Sequence, residues 1–133
     1  MIKWTDDLSV KVSQFDNEHK QLINLINKLS DAMSKGQGSE GINKLLTDLL
    51  SYTKIHFKSE EDAMQKYNYP GLAAQKAMHN EFVSKINDAR EKHEKGSLTL
   101  TITLSNFLNT WLKEHIMKMD RQYSDFFNEQ GLK

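Results

Sequence analysis

The sequence predicts an all-α protein, an up-down-up-down antiparallel four-helix bundle, from three observations. Four successive segments carry apolar residues at steps of three and four, the spacing that lines one side of a helix. Turn formers are scarce, with one proline and six glycines in 133 residues, which favours long helices and short connections. Each segment also carries a metal-capable polar residue on its apolar stripe, at places that coincide only if neighbouring helices run antiparallel. Four amphipathic helices joined this way bury their stripes against one another. A chain of this length forms one domain, residues 1–133, with a core that needs no staple.

The first helix is expected from near Asp16, a residue type that caps free N–H groups, with His19, Leu22, Ile26, Leu29 and Met33 on its stripe. Gly36-Gln37-Gly38 ends it. The second follows Ser39 and buries Ile42, Leu45, Leu49, Tyr52, His56, Glu60 and Met64. Tyr67-Asn68-Tyr69 breaks the pattern, and Pro70 suits the first turn of a third helix. That helix shows Leu72, Gln75, His79, Phe82, Ile86 and Ala89 and ends before Gly96. The fourth segment is mixed. Leu98, Leu100, Ile102 and Leu104 alternate with threonines, a strand pattern by itself. From Leu104 onward Phe107, Leu108, Trp111, Leu112 and His115 step at helical spacing, and the whole reads as one helix with a β-branched start.

Composition narrows the chemistry. Eighteen basic residues balance eighteen acidic ones, so the basic excess of a nucleic-acid binder is missing. Lys58-Ser59-Glu60-Glu61-Asp62 mixes charges as a solvated helix surface does. There is no cysteine, so a bound metal would have nitrogen and oxygen donors alone. The N-terminus lacks the apolar run of a signal peptide and no later run approaches a membrane span, so the expectation is a soluble, cytoplasmic protein.

The polar residues on the buried stripes are the main lead. His19 lies early in helix one, His56 and Glu60 late in helix two, Gln75 and His79 early in helix three, and His115 late in helix four. In an antiparallel bundle these positions share one layer. Residues four apart stand about 6 Å apart along a helix, so His56 with Glu60, and Gln75 with His79, can each address one site. Asp120 follows His115 by five residues, an offset of roughly 140° on an ideal helix. It joins the same site only if the helix is distorted there, as by a π-bulge, or is near its end. One histidine on an apolar stripe is ordinarily a hydrogen-bonded core residue. Four at one level would cost several kcal/mol to bury without a shared partner, and a cation supplies one. Imidazole with carboxylate suits Fe, Mn, Zn or Ni alike. His93, about 20 Å along helix three from His79 and among charged neighbours, reads as surface.

These residues resemble the hemerythrin family, in particular its bacterial single-domain members, over nearly the whole chain. Trp4 with Leu8-Ser9-Val10 is similar to the family's N-terminal arm. Asp16-Asn17-Glu18-His19-Lys20 matches its first histidine motif, and His56-Phe57-Lys58-Ser59-Glu60-Glu61 its HxxxE motif. Tyr69-Pro70 precedes the third helix, and Trp111-Leu112-Lys113-Glu114-His115-Ile116 with Asp120 matches the closing HxxxxD motif. The resemblance implies a non-haem diiron centre that binds O2. It assigns His19 and His56 to one iron, His79 and His115 to the other, and Glu60 and Asp120 as bridges.

The sequence departs from the family pattern at Gln75, where the second iron ordinarily has a third histidine. Gln75 either hydrogen-bonds within the core or lends its amide oxygen as a weak ligand. Losing an imidazole should weaken that iron, open a position on it, and favour autoxidation over stable storage. The function expected is O2 binding for carriage, storage or sensing. The alternatives are an iron-dependent peroxidase or NO-handling enzyme, with peroxide or another diatomic as ligand, and a mono-iron or vestigial bundle. Phe57, Trp111, Leu112 and Ile116 flank the ligands and are candidates to line a gas pocket, though each alone is also ordinary core. Nucleic acid and membrane partners are not expected, and oligomeric state is not legible.

Overall fold

The computed structural model describes residues 2–36, 39–94 and 101–133. A short 3-10 turn (Asp6–Leu8) precedes α1 (Ser13–Ser34), α2 (Ser39–Lys66), α3 (Leu72–Glu94), α4 (Thr101–Glu114), a π-helical turn (His115–Asp120) and α5 (Arg121–Glu129). The last three follow one another without a break and make a single fourth rod. No strand occurs among the described residues, and none of their helices is long and apolar enough to cross a membrane. Gln37-Gly38, the Leu98 and Leu100 part of the mixed segment, and the side chain of His93 lie outside the described residues. The helical reading of the fourth segment holds from Thr101 onward.

Opposite ends of neighbouring helices meet, which makes the bundle antiparallel. Gln14 at the start of α1 donates to Ser59 late in α2 at 2.7 Å. Ser30 late in α1 shares a 2.8 Å hydrogen bond with Ser105 early in α4. His79 early in α3 donates to Glu61 late in α2 at 2.8 Å. Fully buried Leu22, Ile26, Leu29, Leu46, Leu49, Phe82, Ile86 and Leu108 fill the body of the bundle. At its other end Phe15, Tyr69, Tyr123 and Phe127 close it as an aromatic cluster, with Tyr123 and Phe127 ring centroids 4.8 Å apart. The polar layer lies between these two fillings.

Local chemistry explains the boundaries. Helix α1 begins three residues before Asp16, and its N-cap, Val12, makes no side-chain cap bond. The Asp16 carboxylate is spent elsewhere: it accepts from Ser9 Oγ at 2.7 Å and from the Val10 N–H at 2.8 Å. Those bonds tie down an arm that reverses at Lys11 (φ 57°) and buries Ile2, Leu8, Val10 and Val12. At the far end of α2, Asn68 takes the left-handed conformation (φ 57°) and the Tyr69 N–H reaches back to the Met64 carbonyl at 2.8 Å. Asparagine tolerates that conformation, and the long back-bond satisfies a carbonyl the helix leaves free. Pro70 lies in the following turn rather than inside α3, which opens at Leu72.

The arm gives a first prediction. Asp16→Ala removes two hydrogen bonds to a charged acceptor, so stability measured by urea unfolding should fall by about 1.5–3 kcal/mol. Residues 2–12 should then be cleaved first in limited proteolysis. Unchanged stability with an uncut arm would show that the buried apolar residues hold it alone.

Candidate metal centre

Every side chain that the spacing singled out reaches the same layer. His19, His56, Glu60, Gln75, His79, His115 and Asp120 are all at most 2% exposed. They form two groups, His19–His56–Glu60 and His79–His115–Asp120, in each of which one donor atom per residue lies within 4.8 Å of the others. Asp120 reaches the layer because the backbone from His115 to Asp120 is a π turn. The wider turn absorbs the extra residue that a regular helix would have rotated away.

The two carboxylates lie between the groups rather than inside one. Glu60 Oε1 is 3.0 Å from His56 Nε2 and 3.6 Å from His79 Nε2. Asp120 Oδ1 is 3.1 Å from His115 Nε2, and its Oδ2 is 3.2 Å from His19 Nε2. Each carboxylate therefore faces a histidine of both groups.

Further residues set the orientation of these side chains, and the sequence reading missed three of them. Glu18 accepts from His56 Nδ1 at 2.7 Å, and Glu61 accepts from His79 Nδ1 at 2.8 Å. Holding Nδ1–H fixes each ring and leaves Nε2 pointing inward. Buried Tyr123 donates its hydroxyl to Glu60 Oε2. The signal for the two acids was adjacency, since each stands next to a layer residue, but charge mixing made Glu61 read as surface. Its neighbours Lys58 and Asp62 are surface, pairing with each other in solvent at 2.8 Å.

The layer is electrostatically tense without a cation. Burial opposes charge on His56, but Glu60 and Glu18 outweigh it and hold its pKa up at about 10. Burial likewise opposes charge on His19, and Asp120 with Glu60 raises it. Glu60 is held well below the usual carboxylate range against its burial, by His56 and His19. Asp120 is lowered too, against burial and the Glu60 charge, by His115 and His19. Burial lowers His79, only partly offset by Glu60 and Glu61. Burial first, then Glu60 and Asp120, keep the Tyr123 hydroxyl well above its ordinary value, hence protonated and donating.

Even so, donors remain unsatisfied. Both ring nitrogens of His19 and of His115, His79 Nε2, Glu60 Oε1, Gln75 Oε1 and Asp120 Oδ2 are buried with no hydrogen-bond partner. Each such group costs about 1–3 kcal/mol when left unmade. Six of these orphans belong to the two groups' own histidine Nε2 and carboxylate atoms or to Gln75 between them, so the residues fit cations held by nitrogen and oxygen. The apolar candidates are buried as well. Phe57 stacks on His79 at 3.7 Å and 2°, and Trp111 on His115 at 4.4 Å and 12°. Leu112 and Ile116 are 1% and 0% exposed on the same rod.

A family described as the hemerythrin HHE cation binding domain matches residues 10–126. The bacteriohemerythrin of Methylococcus capsulatus is 36% identical over 124 residues, spanning 92% of this chain and 94% of its own. The myohemerythrin of Riftia pachyptila is 29% identical over 120 residues, spanning 90% and 88%. A crystal structure of wild-type hemerythrin superposes with a TM-score of 0.88 at 34% identity, covering 94% of this chain and 96% of the other.

The raised histidines give a pH prediction for the metal-free protein. A folded pKa of about 10 against an ordinary 6.5 means that His56 stabilises the fold fully below pH 6.5 and loses that contribution as pH rises through 10. The carboxylates stay ionised over this range and add no slope. The melting temperature of chelator-treated protein should therefore fall steadily from pH 7 to pH 10. A rise over that interval would contradict the charge arrangement.

Proposed function

Since the chain belongs to the hemerythrin family, we propose that it is a non-haem diiron protein that binds O2. The observation that carries this reading is the pair of buried carboxylates, each facing a histidine of both groups, with unpartnered donor atoms around them. His19 and His56 would hold one iron and His79 and His115 the other, with Glu60 and Asp120 shared between them. Two ferrous ions held there supply the electrons that reversible O2 binding draws on.

The chain's own residues prepare that site. Glu18 and Glu61 aim one histidine of each pair and raise its basicity. Tyr123 keeps its proton on the hydroxyl oxygen and fixes Glu60. Phe57 and Trp111, flat against His79 and His115, with Leu112 and Ile116 beside them on the chain, exclude bulk water from the gas. Water at that place would bring the protons that turn reversible binding into irreversible oxidation.

Anaerobic reconstitution with Fe(II), read as iron per chain, tests the reading directly. Two irons are expected, followed by an absorption change on adding O2 that reverses on its removal. One iron or fewer would replace O2 carriage with a mono-iron or vestigial role. With no imidazole at Gln75, each iron would be held by only two histidines. The O2 complex should thus decay faster than that of a Gln75→His variant, timed by loss of its visible absorption; a longer-lived wild type would refute this.

A further inference from the structure

Gln75 is 1% exposed, and its amide nitrogen donates to Asp120 Oδ1 at 3.0 Å. The opposite orientation would set an amide oxygen against a carboxylate oxygen, so the nitrogen must face Asp120. Across the layer Glu60 stands in the same situation. One of its oxygens, Oε2, accepts from the buried hydroxyl of Tyr123, while the other, Oε1, has no hydrogen-bond partner. Asp120 divides likewise: Oδ1 accepts from Gln75 and Oδ2 has no partner. Each carboxylate thus has one oxygen held by a neutral buried donor and one that faces a histidine ring nitrogen without a hydrogen bond. The match extends to the histidines, where each group has one ring anchored by an acid, Glu18 or Glu61.

Building on the diiron reading, we propose that Gln75 does for Asp120 what Tyr123 does for Glu60. Gln75 is a positioning residue, a hydrogen-bond donor to a bridging carboxylate, and not an iron ligand. A hydrogen bond to an ionised carboxylate is among the stronger ones in a buried site. It fixes the carboxylate's rotation and withdraws electron density from the oxygens that face the metal. The two halves of the centre then carry equal numbers of imidazoles, and the two bridges are tuned alike.

The midpoint potential of the iron-loaded full chain distinguishes this role from ligation. Removing a donor from a bridging carboxylate leaves it more basic and favours the ferric state, which lowers the potential. Removing a neutral oxygen ligand withdraws support from the ferric state instead. Gln75→Leu and Tyr123→Phe are therefore both expected to keep two irons per chain and to shift the potential downward. Gln75→Met, which keeps the side-chain length without a hydrogen-bond donor, should repeat the Leu result and guards against a packing defect at that position. A raised or unchanged potential in both Gln75 variants overturns the proposal, as does loss of one iron in them while Tyr123→Phe keeps two. Fewer than two irons in the unaltered protein would overturn the diiron reading itself, and the pairing with it.

Discussion

A bundle core accepts polar side chains only if something in the core satisfies them, and this structure places seven in one layer. Paired among themselves they reach a partial settlement, with two histidines driven toward the charged form and two carboxylates held ionised. The unpartnered nitrogens and oxygens that remain are numerous for so small a volume. A cation would satisfy the inward-facing ones together. The aliphatic body on one side and the aromatic cluster on the other shut this layer off from water.

The arrangement separates the groups that face the middle of the layer from those that aim them. The inward atoms are histidine Nε2 and carboxylate oxygens. Glu18 and Glu61 tie the outward Nδ1 atoms of His56 and His79, and Tyr123 and Gln75 each hold one carboxylate oxygen. Glu18 and Glu61 are partly exposed, at 18% and 24% for their side chains, so their charge is hydrated at little cost. Gln75 and Tyr123 are buried and uncharged, which adds hydrogen bonds without adding a further buried charge. Among these four aiming groups, the ionised ones stand where water reaches and the neutral ones where it does not.

Much of this was legible in the residues. Helical spacing located the stripes, and the antiparallel pattern put His19, His56, Gln75, His79 and His115 in one layer before any contact was known. The five-residue step from His115 to Asp120 was legible as a geometric problem whose solution, a π turn, the structure contains. Other features were hidden because they depend on partners distant in sequence. Asp16 looked like a helix cap by residue type, yet the buried arm competes for its carboxylate. Tyr123 bonds a residue 63 positions away. Glu61 has the composition of surface, and only the approach of α3 gives it a second role. Residue type and local spacing describe what a side chain can do; the fold decides which of its options is used.

The π turn has an effect beyond Asp120. On an uninterrupted helix Tyr123 would stand eight residues beyond His115, about 80° out of phase with it. The one-residue slip restores the phase, and Tyr123 and Phe127 return to the inner face that Trp111 and His115 occupy before it. The fourth rod thus behaves as two amphipathic helices written in different reading frames and spliced at the polar layer. The same extra residue that swings a carboxylate inward also resets every contact of the aromatic end, so the centre and the closure of the bundle are parts of one insertion.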